Sequence, residues 1–493
     1  LTFTLATTNN NITIIREVSS PDNIPNVFRV EVGEVGDTTI TFTASVNDGT
    51  AIVSKDMTVV FLERFIGVMV SVYGGTGIDL FFGVVTDSSG NIICAGLTDS
   101  EVAGNNDALV VKFDTNLNIL ASKVYGGIGS DIFHEVATDA NDNIICVGVT
   151  SSEGSGIDDT LVVKFDTNLD ILTKKIYGGS GIDRFRRVAT DSNDNIICVG
   201  YTTSEGSGGN DALVVKFDPN LNILAKKIYG GAGTDYFYGV ATDTNDNIIC
   251  VGYTTSEGSG GNDALVIKFD PNLNILARKI YGGTGTDEFR GVTTDSNNNI
   301  TCVGWTSSEG ADSDVALVVK YDPNLDIIAK KIYDGSGADL FFGVVTDSSG
   351  NIICAGQTTS EGSGDWDTLV VKFDPNLNIL AKKIYGGTGT DEFRGVTTDS
   401  NNNITCVGWT SSEGAGNYDA LVVKLSSDIP TGTFVGTVLT NLTLGDSNLT
   451  LADSNLTLAD SNLTFTDSNL TLADSNLTFA DSNLTQESDN ILL

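Results

Sequence analysis

The residue types able to do covalent or metal chemistry are few in this sequence. Its single histidine, His134, rules out a histidine cluster for zinc or iron and leaves one imidazole base for a nucleophilic triad. Pairing His134 with Cys146 adds little, because the same thiol recurs in a regular array where no histidine accompanies it. The string GGxGxD invites calcium chemistry. In calcium-binding β-rolls a similar string repeats about every nine residues and stacked copies share an ion, whereas here the copies stand 52 residues apart. The acidic set Asp183, Glu205 and Asp211, with its equivalents in the other copies, is the candidate calcium site, since hard carboxylate oxygens suit that ion. The competing role for these aspartates is to cap turns by accepting backbone N–H groups. No catalytic residue is assigned, no cofactor other than calcium is expected, and the chain is expected not to be an enzyme.

The elements that would position these groups follow from a repeat. Tyr73, Tyr125, Tyr177, Tyr229, Tyr281, Tyr333 and Tyr385 are each 52 residues apart, and every cysteine follows one of them by 21 residues. Each unit holds four short apolar segments bounded by Gly, Asn, Asp or Pro; in the fourth copy they are 237–242, 248–254, 264–269 and 275–281. Four short strands per repeat of this length predict a seven-bladed β-propeller with 52-residue, four-stranded blades. The last copy stops after its third segment, and FIGVMVSVY at 65–73 occupies the missing register, so the N-terminal strand is expected to complete the seventh blade and close the ring. Cys94, Cys146, Cys198, Cys250, Cys302, Cys354 and Cys406 then occupy one depth in the second strands. They are expected to be buried, reduced and too far apart for disulfides.

Differences between copies mark the candidate ligand-binding residues. Variation falls on three positions: that of Arg184, Tyr236, Glu288 and Glu392; that of His134, Arg186, Tyr238, Arg290 and Arg394; and that of Tyr201, Tyr253, Trp305 and Trp409. All three are expected near the glycine-rich rim, with the aromatic and arginine members exposed for stacking on sugars or for contact with a protein; variation in blade packing is the competing explanation. The stretch 281–310 recurs unchanged at 385–414, the mark of a recently duplicated scaffold, whereas enzymes need asymmetry.

The pattern YGGxGxDxF, then Val and Thr-Asp, then GNIIxxGxT, resembles the β-propeller repeat of bacterial and archaeal surface proteins known as the SBBP type, over about 65–425. The resemblance implies an extracytoplasmic propeller, often attached to Ig-like modules, and carries no defined enzymatic activity.

The ends differ from the repeat. Residues 1–62 alternate in strand-like segments with a hairpin signal at Asp48-Gly49, and their last two segments resemble the closing hairpin of Ig-like and PKD-like modules; a small sandwich-like module, short of a strand or two, is expected. The propeller is assigned to 63–428, and 429–493 to a linker and a tail of DSNLTLA-type heptads. In the tail, Leu and Ala at three-four spacing permit a helix. Asn, Asp, Ser and Thr oppose one, so Asn-Leu-Thr-Leu is preferred as a strand and Ala-Asp-Ser as a turn. Asn441, Asn448, Asn455, Asn462, Asn469, Asn476 and Asn483 each begin an Asn-Leu-Thr glycosylation acceptor.

Against 64 Asp and Glu there are 27 Lys and Arg, a formal charge of -37 that repels nucleic acid and anionic headgroups. No apolar run is long enough to span a membrane. The first residues lack a basic n-region, so any leader is expected to be already removed from an extracellular or cell-surface protein. The function expected is a secreted structural protein whose N-terminal module and tail join copies into a filament or surface layer. The alternative is an adhesin or glycan-binding propeller anchored at the surface. Expected partners are further copies of the chain, and glycans or surface proteins.

Overall fold

A computed structural model describes residues 68–100, 105–310 and 314–429 in full and, at the two ends, backbone strands alone. Seven four-stranded antiparallel sheets make the propeller, and in the first six the strand order is the sequence order. In the fourth blade the strands run Asp235–Thr242, Ile248–Thr254, Asp263–Phe269 and Ile275–Tyr281. Second and third strands are Val- and Ile-rich and buried along nearly their whole length. Outer strands face solvent, leaving residues such as Ile223 and Leu224 exposed.

The seventh blade closes as its missing segment requires. Its fourth strand is Val68–Tyr73, antiparallel to Asp419–Leu425 with Leu425 opposite Val68 and Ala420 opposite Tyr73. Val68, Val70 and Val72 pack on the core of that blade, and Tyr73 reaches across to Phe81 of the first blade at 6.0 Å between ring centroids. The same tilted Tyr–Phe contact joins other neighbouring blades, at 6.1 Å for Tyr125–Phe133 and 6.5 Å for Tyr229–Phe237. Such pairs add about 0.5–1.5 kcal/mol beyond burial.

A second inter-blade tie has no counterpart in the expectations from sequence. The third strand of nearly every blade carries a buried lysine: Lys216 Nζ meets Asp191 Oδ2 at 2.8 Å in its own blade and donates to the Pro271 carbonyl of the next at 3.1 Å. Across the ring closure Lys424 does the same, pairing with Asp399 at 3.5 Å and donating to the Thr115 carbonyl at 3.0 Å. Burial by itself would raise Asp191. The Lys216 ammonium, the Asn195 amide and two backbone N–H groups outweigh it and hold the carboxyl below its ordinary value.

All seven cysteines are free and completely buried, and burial pushes their thiols up. The native protein should therefore be inert to a thiol reagent, whereas unfolding without reductant should release about seven equivalents. Fewer than six would mean that disulfides form.

The chain divides into two compact units, Gly67–Gly436 and a second made of Leu1–Ile66 with Thr437–Leu493. The propeller unit thus runs past 428: Phe434–Val435 pairs in parallel with the outer strand of the sixth blade, Tyr385 opposite Phe434, making that sheet five-stranded. At the N-terminus, Thr2–Thr4, Thr38–Asn47 and Ile52–Phe61 form one sheet, and Ile12–Glu17 and Val27–Val32 a second. The Asp48-Gly49 turn lies outside the described residues.

Among its described residues the tail forms strands. Leu442–Gly445, Leu463–Thr466 and Thr485–Gln486 pair in parallel, as do Leu449–Ala452, Leu470–Ala473 and Ile491–Leu492, and Thr457–Leu458 with Thr478–Phe479. Within each sheet neighbouring strands lie 21 residues apart, as Leu442 meets Leu463, so the pairing period is three heptads.

Candidate functional site

The site begins with a kink repeated seven times. In each first strand the ladder slips by one residue: in the third blade Phe185 opposes Gly200 and Arg187 opposes Val199, leaving Arg186 unpaired between them. A bulge of this kind re-aims the extra side chain. Its geometry also explains the glycine of the second strand, because a Cβ at Gly200 would stand 1.9 Å from the Arg184 carbonyl oxygen.

The seven bulged residues are Phe82, His134, Arg186, Tyr238, Arg290, Phe342 and Arg394, one from each blade. With Arg187 they line a cavity of about 200 Å³ in the propeller's central channel. A further chamber of about 370 Å³ is lined by residues later in the same strands. There Glu135 and Arg187 take the place that glycine holds in the other five blades, including Gly239, Gly291, Gly343 and Gly395.

Most guanidinium groups around the cavity have a carboxylate. Arg290 Nη2 lies 2.6 Å from Glu288, Arg187 Nε lies 3.0 Å from Glu135, Arg184 Nε donates to Asp158 at 2.9 Å, and Arg394 is paired with Glu392. Burial pushes Glu392 up to about 7 against the pull of Arg394 and Arg290, and lowers Arg394 to about 10. Arg186 forms no ion pair among the described residues. Its Nη1 stands 3.1 Å from His134 Nε2, and its Nε is buried without a hydrogen-bond partner. Burial, followed by the charges of Arg186, Arg184, Arg187 and Arg394, holds His134 well below its ordinary value. The imidazole is therefore neutral, its Nε2 accepts from Arg186, and its proton sits on Nδ1.

The aromatic candidates do not form an exposed rim. Tyr201 is only 6 % exposed, and Tyr253, Trp305 and Trp409 are half-buried behind the channel residues of their own and the following blade. Trp305 lies 4.4 Å from the Arg290 guanidinium and 6.1 Å from the Phe342 ring, and Trp409 packs likewise against Arg394 at 5.1 Å and Phe82 at 6.0 Å. Tyr236 is stacked parallel to Tyr238 at 5.5 Å and touches Tyr201 at 4.3 Å and Tyr253 at 5.1 Å. These rings pack against the arginines and hold them in place. Strand order alone puts the three variable positions at one end of the blades. It does not reveal the bulge that turns one of them into the channel, nor the burial of another under the next blade.

The calcium set is separated. Asp183 is fully buried and accepts from Gly179 N at 2.8 Å, Ser204 Oγ at 2.6 Å and the Thr202 hydroxyl, the turn-capping role. Glu205 points to the outer face, 2.7 Å from Lys226 and 2.5 Å from the Tyr177 hydroxyl. Asp211 accepts from Ser207 N at 2.9 Å and flanks Asp235 of the next blade, so burial first, with that neighbouring charge, raises its carboxyl. Among the described residues no three His, Cys, Asp or Glu side chains are grouped to hold a metal. The tail acceptors Asn441, Asn448, Asn455, Asn462, Asn469, Asn476 and Asn483 lie outside the described residues.

No family model matches the chain, and no curated protein matches it. Solved structures give distant likenesses. One is BBS1N in complex with ARL6DN, 10% identical, with 74% of this chain and 96% of that one covered and a TM-score of 0.42. Another is YCF48 bound to D1 peptide, at 12%, 75% and 98%, with a TM-score of 0.41. A third is the acylaminoacyl peptidase of Pyrococcus horikoshii, at 8%, 69% and 49%, also with a TM-score of 0.41. At such scores they assign no activity to this chain.

Proposed function

We propose that this chain is a secreted, non-catalytic structural protein whose propeller is the rigid body and whose N-terminal β module and tail join copies into a cell-surface filament or layer. The observation that carries the reading is the tail register, in which every strand pairs in parallel with the one 21 residues on. Because the heptads are nearly alike, the last strands of one tail match the first strands of another and can continue the same parallel pairing, with main-chain hydrogen bonds supplying the affinity. Such contacts also suit a chain of charge -37, whose copies repel one another until backbone and apolar pairing overcome the repulsion. The repeat's resemblance to SBBP-type surface propellers supports an extracellular or cell-surface location.

Removing residues 441–493, or separately residues 1–8, should abolish polymerisation in sedimentation while leaving the thermal transition of the propeller unchanged. If both truncated proteins sediment as the full chain does, contacts between propellers make the assembly and the reading fails. The second reading, a surface-anchored adhesin or glycan-binding propeller, is supported by the convergence of the blade-to-blade differences on the central channel.

A further inference from the structure

We propose that the channel constriction is a binding site for a small organic acid, whose carboxylate is held by Arg186 and whose apolar part lies against Phe82 and Phe342. Three observations converge on it. The first is a cavity of about 200 Å³, large enough for a small ring and too narrow for a folded partner. The second is charge: Arg186, Arg290 and Arg394 all face this space, and while the latter two are matched by Glu288 and Glu392, Arg186 has no carboxylate among the described residues. The third is placement: the Arg186 guanidinium is held by His134 Nε2 at 3.1 Å and by the Tyr201 ring at 5.7 Å, and it is only partly buried, so the rest of the fork opens on the cavity.

A partly buried guanidinium that has no carboxylate among the described residues leaves its charge unbalanced in the channel wall, which favours an anion there. Five fixed N–H donors in a plane match the two oxygens of a carboxylate better than any spherical ion. His134 commits its Nε2 lone pair to Arg186 Nη1 at 3.1 Å, which orients the fork and keeps the imidazole from competing for the anion. Phe82 is held against His134 at 5.6 Å, and Phe342 beneath Arg394 at 4.0 Å, so both apolar walls are already set. The inference is independent of how copies assemble, because the channel belongs to one propeller.

Titration calorimetry on the full chain with benzoate, benzamide and inorganic phosphate tests it. Benzoate should bind saturably at one site per chain and benzamide should not, because it lacks the charge. Arg186→Gln should weaken benzoate at least tenfold, and Arg186→Lys should fall between, since it keeps the charge and loses the fork. A melting curve of each variant establishes that the propeller is folded. Absence of benzoate binding, binding of phosphate alone, or equal affinity in folded Arg186→Gln would each overturn the assignment.

Discussion

Deleting residues 1–73 should leave a propeller that cannot close, and the product should aggregate or melt far below the full chain. The deletion removes Val68, Val70 and Val72 from the core of the seventh blade and exposes the whole edge of Asp419–Leu425. The three valines are partly buried, so at roughly 1 kcal/mol each their loss comes to about 3 kcal/mol, before the cost of the open edge. Typical domains have about 5–15 kcal/mol in all, so the loss is a large share of the total. Deleting only 1–66 is the control, because it removes the N-terminal module and keeps the closing strand. That protein should melt as the propeller of the full chain does. Equal melting of the two deletions would refute closure by Val68–Tyr73.

Lys216→Met should cost about 3–5 kcal/mol, the usual effect of removing one partner of a buried ion pair. Asp191 and the Pro271 carbonyl then lose the ammonium that bridges two blades, and Asp191 is left as a buried, unpaired charge. Asp191→Asn added to Lys216→Met should recover part of the loss, since that charge disappears. On the outer face, Lys226→Met breaks a pair with Glu205 whose side chains are 34 % and 42 % exposed, and should cost no more than about 1 kcal/mol. Denaturant midpoints of the three variants check the order. A Lys216→Met effect no larger than that of Lys226→Met would mean that the buried bridge does not hold the blades together.

The contrast between these two lysines shows what was legible in the sequence. Blade count, strand order and the closing strand could be read because a 52-residue period and one displaced segment state them outright. Lys216 could not, since in VVKF it takes an alternate position that reads as solvent-facing in any half-buried strand. Only the third strand's burial on both faces sends it across to the next blade. Arg186 was singled out by its variability, but a bulge inverts which face a residue occupies, and nothing in FRR marks the slip. Asp183, Glu205 and Asp211 fall near one rim in sequence order, yet Asp183 caps the turn before its own strand, Asp211 faces Asp235 of the next blade, and Glu205 lies on the outer wall. In the tail a heptad permits a helix or a strand. The pairing period of 21 residues emerges only when strands three heptads apart meet.

The most direct test of the proposed role is electron microscopy of the purified full chain at physiological salt. Ordered filaments or lattices, with propeller-sized bodies at regular spacing, are the result expected of a structural protein joined through its ends. A field of dispersed monomers at every concentration and salt would contradict it.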